Sequence, residues 1–100
     1  MSRQQLEKGL ALHQEGKLDE AAEIYQEVLA VDPGNADALH FLGLIAQQRG
    51  DLSAAIEHIE AAISAEPERP TFHFNLGVTF TALGNLAAAA AAYEKAGKLK

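Results

Sequence analysis

Columns of identical residues recur along this chain at a step of 34. Gly9, Gly43 and Gly77 form one column; Gly16, Gly50 and Gly84 a second; Leu18, Leu52 and Leu86 a third; Ala21, Ala55 and Ala89 a fourth. Pro33 and Pro67 keep the same step, and the next member of their column would fall just past Lys100. A period in this range means stacked copies of one supersecondary unit, none of which buries its apolar face alone. The units fall at residues 2–35, 36–69 and 70–100, the third truncated at its C-terminal end.

Each unit reads as two helices. Asn35 is a good N-cap for a helix over 36–49. Gly50 supplies the left-handed conformation that stops it. Asp51 caps a second helix over 52–65, which halts before Glu66-Pro67 because the residue ahead of a proline is pushed out of the α region. Gly16 and Gly84 are the matching stops, and Asn85 the matching cap. Helices of about 14 residues joined by such short turns lie antiparallel. Apolar residues make up 48% of the chain, drawn mainly from Ala, Leu and Ile, with only 6% aromatic, which favours helix over strand. The fold class is all-α, a solenoid of three helical hairpins.

The recurring residues explain the packing. Gly43 and Ala55 are small and fall on the facing sides of their two helices, so the backbones can approach closely. Leu39, Leu42 and Ala46 form a stripe at helical spacing, answered by Ile59 and Ala62. Ile56 and Ile63 lie beside that stripe, placed to meet the following unit; their counterparts in unit three are the much smaller Ala90 and Gly97.

The stretch LHFLGLIA followed by AAIEHIEAAISAEP resembles a tetratricopeptide repeat, whose pattern is Trp-x2-Leu-Gly-x2-Tyr, then Ala-x3-Phe, then Pro. Leu39, Leu42, Gly43, Ala46, Ala55, Ile59 and Pro67 fill those places in unit two; His73, Leu76, Gly77, Phe80, Ala89 and Tyr93 do so in unit three. Unit one matches at Gly9, Leu12, Ala21, Tyr25 and Pro33 but has Gln5 and Lys8 where Trp and Leu are usual, which suits a polar outer cap. The resemblance implies a right-handed superhelix whose first helices line a concave groove.

Along those first helices a second apolar face accompanies the core stripe: Leu6 and Leu10 in unit one, Phe41 and Leu44 in unit two, Phe74 and Val78 in unit three. Spare apolar surface of this kind marks a binding face. His13, His40, Gln47, Asn75 and Thr81 are its polar members, and an amide such as Asn75 can bond the backbone of an extended peptide. Members of the family that grip the acidic tails of chaperones carry a set of Lys, Arg and Asn residues in the groove. The matching places here hold Leu6, Leu10, Phe41, Thr71 and Asn75, so that clamp is absent.

Several chemistries are disfavoured. Without cysteine there is neither thiolate catalysis nor a Cys-based zinc site. His13, His40, His58 and His73 share no metal motif, and Ser2, Ser53 and Ser64 sit in no nucleophile turn. Residues 1–35 carry seven acids against Arg3, Lys8 and Lys17, a balance of −4; residues 36–69 also stand at −4; residues 70–100 stand at +2. A body so acidic argues against a phosphate-backbone partner. No apolar run approaches the ~20 residues of a membrane span, and the polar start Met1-Ser2-Arg3 leads into no signal core, so the expected compartment is the cytoplasm. The expectation is a non-enzymatic, cofactor-free protein-interaction scaffold that takes a peptide or helix of a partner in the groove. Weak self-association through the C-terminal end is a further expectation. The alternatives are the substrate-positioning repeats of a larger bacterial enzyme, glycosyltransferase-like or sulfotransferase-like, and a self-assembling structural unit.

Overall fold

A computed structural model describes residues 2–100, so Met1 of the polar N-terminal run lies outside the described residues. Six helices follow in order: α1 (Ser2–Gln14), α2 (Leu18–Val31), α3 (Ala36–Gln48), α4 (Leu52–Ala65), α5 (Pro70–Leu83) and α6 (Leu86–Leu99). No strand occurs among the described residues. The all-α reading holds, and the helix bounds differ from expectation by one residue, α3 ending at Gln48 with Arg49 as its C-cap.

The turns are built by local chemistry. The side chains of Asn35, Asp51 and Asn85 accept hydrogen bonds from the amides of Ala38 (3.0 Å), Ala54 (3.2 Å) and Ala88 (3.2 Å), satisfying first-turn donors that the helix leaves unpaired. At the other end, Gly50 takes φ 79°, its N–H bonding the Gln47 carbonyl at 3.0 Å while Asp51 N–H reaches back to Ala46 O at 2.9 Å. That double closure recurs at Gly16 and Gly84, because only glycine adopts the left-handed conformation without steric cost. The starts of α2 and α5 lack a side-chain cap; α5 instead opens on Pro70, whose missing N–H costs nothing in a first turn.

Within each hairpin the column of Gly9, Gly43 and Gly77 sets the distance between helices. A Cβ on Gly43 would stand 2.7 Å from Ile59 Cγ1, one on Gly9 2.6 Å from the Tyr25 ring, and one on Gly77 2.7 Å from the Tyr93 ring. The bulky residue of the second helix therefore lies directly on the backbone of the first.

Between hairpins, each first helix covers the pair before it. Ala38, Leu42 and Ile45 of α3 close over Ala21, Tyr25 and Val28 of α2. Phe72 of α5 packs with Ala36 and Ala62, and Leu76 with Ile59, with Ile63 reaching both groups and Ile56 the second, as their positions beside the stripe suggested. Ala90 and Gly97 are exposed.

Candidate functional site

The first helices lie side by side, α1 against α3 and α3 against α5. This arrangement gives the molecule three successive seams: one between α1 and α3, one between α3 and α5, and one on the far side of α5, bordered by α6. The eleven residues expected to form a binding face distribute very unevenly among them.

The first seam is open. A groove of about 510 Å³ runs between α1 and the start of α3, with Leu6, Leu10 and Phe41 as its apolar part and Arg3, Glu7 and Asp37 at its polar edge. Leu10 is 37% exposed. Phe41 is half-buried, its ring stacked on that of Tyr25 at 5.2 Å between centroids, so it serves the core and the groove together. His13 bonds Gln48 across the far end of this seam.

The second seam is closed. His40, expected on an open face, is only 4% exposed, with its ring 4.7 Å from that of Phe72 and 5.7 Å from that of Phe41. Its partner is Asn75, also expected to be free for a ligand: Asn75 Nδ2 donates to His40 Nε2 at 2.8 Å. That bond requires a neutral imidazole with its proton on Nδ1. Burial drives the His40 pKa down to about 4, against a smaller upward pull from Asp37 and with a further downward push from Arg69. Gln47 likewise donates to Thr79 Oγ1 at 2.7 Å, and Thr79, fully buried, donates to Asn75 O at 2.9 Å. These polar side chains join neighbouring helices because a buried donor or acceptor left without a partner costs about 1–3 kcal/mol.

Sequence reasoning missed what fills this seam. Phe72 stands where unit two has Ala38 and unit one Gln4, and it is completely buried. Arg69 lies over its ring at 4.4 Å from the centroid and bonds Asp37 and Glu66, each at 2.9 Å. A large aromatic in a column that otherwise holds Gln4 and Ala38 was the available signal.

Leu44 and Val78 are half-buried on the first helices, while Phe74 is 52% exposed at the third seam, its ring 5.5 Å from that of Tyr93. Thr81 is exposed, but its hydroxyl donates to Gly77 O at 2.9 Å. His73 bonds the Pro67 carbonyl at 2.8 Å. Among the described residues no three His, Asp or Glu side chains converge to hold a metal ion, and no helix is long and apolar enough to cross a membrane.

Comparison with known proteins places this architecture. The chain superposes with a TM-score of 0.92 on the second tetratricopeptide domain of Spaghetti (RPAP3) bound to the HSP90 peptide SRMEEVD, at 22% identity over 99% of this chain and 92% of that one. The Yersinia enterocolitica type III secretion chaperone SycD, in complex with a peptide of the translocator YopD, gives 0.90 at 23% identity, over 97% and 74%. The O-GlcNAc transferase of Thermobaculum terrenum gives 0.95 at 24% identity over 99% of this chain, which spans only 19% of the enzyme. No curated protein matches the sequence. Likenesses at these identities establish the fold alone. The sequence itself fits two tetratricopeptide repeat family profiles, one over residues 42–98 and one over residues 12–57. With more than half the chain in one match and the two together running from residue 12 to residue 98, this chain belongs to the tetratricopeptide repeat family.

Proposed function

We propose that the chain is a protein-interaction scaffold that holds a short segment of a partner protein on its row of first helices, anchored at the seam between α1 and α3. The observation that carries this reading is the open groove lined by exposed Leu10 and half-buried Leu6 and Phe41, with charge of both signs at its edge. A partly exposed apolar groove with a few polar groups at its edge suits a segment bearing one or two large apolar side chains. The peptides held by the RPAP3 domain and by SycD support the same use of the fold. An acidic chaperone tail is a poor fit, because Leu6, Leu10 and Phe41 offer it no cation and the Asn75 amide nitrogen is already bonded to His40. Of the eleven candidate residues, Leu6, Leu10 and Phe41 would touch the ligand at this seam, while His40, Gln47 and Asn75 would keep the second seam shut.

A peptide-display selection against the intact chain, repeated with Leu10→Glu, is the test. Leu10 is exposed enough to change without opening a cavity, so the variant should keep its helical spectrum and lose the selected sequences. Recovery of the same peptides at the same strength by both proteins would refute the site.

A second reading, in which the repeats position a protein substrate for a larger enzyme, draws support from the superposition on O-GlcNAc transferase. A catalytic module encoded in frame after Lys100 would favour it, and its absence from the parent gene would dismiss it.

A further inference from the structure

The walls of the first seam both belong to this chain, Leu6 and Leu10 standing on α1 and Phe41 on α3. Their apolar surface suits a large apolar side chain, and the charges around it specify what should stand next to that side chain. All the charge lining the groove lies at the end where α3 begins: Arg3 and Glu7 on α1, and Asp37 in the first turn of α3. Farther along, the two helices carry Leu10, His13 and Gln14 on one side and Leu44, Gln47 and Gln48 on the other, with no acid, lysine or arginine.

Of the three charges at that end, two are acids. Arg3 lies 3.9 Å from Glu7, with the side chains 92% and 71% exposed, so the pair is weak and Glu7 can turn to another cation. Asp37 accepts from Arg69 at 2.9 Å, but Arg69 divides itself between Asp37 and Glu66, one cation for two carboxylates. A third acid stands behind the rim: Asn35, which lines the groove, donates to Asp32 at 3.3 Å. The surroundings have the same sign, since the two repeats that supply the walls carry −4 each, and Arg3, Lys17, Arg49 and Arg69 already stand beside acids. An acidic side chain arriving here meets one lining cation, Arg3, already next to Glu7. A basic one meets Glu7 and Asp37 within a field that attracts it.

Taking that groove as the peptide site, we propose that the segment it holds is apolar and basic. One large apolar side chain seats on Leu6, Leu10 and Phe41, and a Lys or Arg beside it in the partner's sequence reaches Glu7 and Asp37. The uncharged far end of the groove asks for no second charge.

The probes are three short synthetic peptides with the same central Leu-Phe pair, flanked on both sides by lysine, by glutamine or by glutamate. Flanking both sides lets either chain direction present its charge to Glu7 and Asp37. Each peptide is titrated into the intact chain at low salt, with amide shifts recorded by NMR and self-association followed by sedimentation. Shifts should centre on Leu6, Leu10 and Phe41. The lysine peptide should bind about threefold more tightly than the glutamine peptide and about tenfold more tightly than the glutamate peptide, the range expected of partly exposed ion pairs. That preference should shrink at about 0.5 M salt, where the screening length is shorter than the groove. Glu7→Gln, at an exposed position, should keep the helical spectrum and bring the lysine and glutamine peptides to the same affinity. Glu7→Lys should place the glutamate peptide first. Leu10→Asn, which alters no charge, should weaken all three alike and so tests the groove itself. Equal binding of the three peptides in the groove would overturn the basic requirement and leave the groove reading standing, whereas failure of all three to bind would overturn both. A lysine preference that survives in both Glu7 variants would also overturn the proposal, as would a self-association of the chain that the lysine peptide reverses, because a second copy would then be the occupant.

Discussion

Lowering the pH should destabilise this protein through His40 specifically. The imidazole lies between Phe41 and Phe72, accepts from Asn75, and has its pKa held near 4 by burial, with Asp37 and Arg69 as the charged neighbours acting on it. In the unfolded chain the same ring titrates near 6.5. The folded protein therefore binds this proton more weakly than the unfolded one. The stabilisation is fully present above the unfolded value and is lost as pH falls toward the folded one. For a single site with these two constants, moving from about pH 7.5 to about pH 5 costs about 2 kcal/mol. Urea denaturation at the two pH values, compared between the wild type and His40→Gln, isolates the effect, since the carboxylates titrate in both proteins and glutamine still offers Asn75 an acceptor. With a urea slope of about 1–3 kcal/mol per M, the wild-type midpoint should fall by roughly 1 M more than that of the variant. Coincident pH dependences, or a His40 ring that titrates by NMR near its unperturbed value, would refute the reasoning.

Gly43→Ala should lower stability by about 1–3 kcal/mol in thermal or urea melts, because its methyl would meet Ile59 Cγ1 at 2.7 Å and outweigh the ~1 kcal/mol of helix propensity gained; a stabilised variant would show that α3 and α4 separate freely. Tyr25→Phe should be neutral or stabilising by up to about 1 kcal/mol, since the Tyr25 hydroxyl is buried without a protein partner and its pKa is pushed up to about 12 by desolvation; a loss of more than about 1 kcal/mol would mean the hydroxyl is well satisfied. Arg69→Met should cost no more than about 1 kcal/mol, because the Asp37 and Glu66 pairs are each substantially exposed and such pairs contribute little; a larger loss would assign the Phe72 stacking the leading role.

How the helices begin, end and pair could be read from the residues themselves. Asn35, Asp51 and Asn85 cap, and Gly16, Gly50 and Gly84 stop, through bonds that reach no more than five residues along the chain. Such preferences are properties of the local backbone, so spacing alone reveals them. The close approach at Gly43 was equally legible, because a small residue on a facing side has few other uses. The binding face was less so. Its apolar members at the first seam, exposed Leu10 with half-buried Leu6 and Phe41, line a groove, but His40 bonds Asn75 across 35 residues of sequence and Gln47 bonds Thr79 across 32. Whether a polar side chain on a first helix meets a ligand or its own neighbour depends on what the next helix presents at the same height. Here Phe72, standing where the preceding repeat has Ala38, decides it. The 34-residue period thus determined the elements and their order, while the relative seating of helices from different repeats decided which seams stay open, because packing between them is set by side-chain volumes that no single repeat contains.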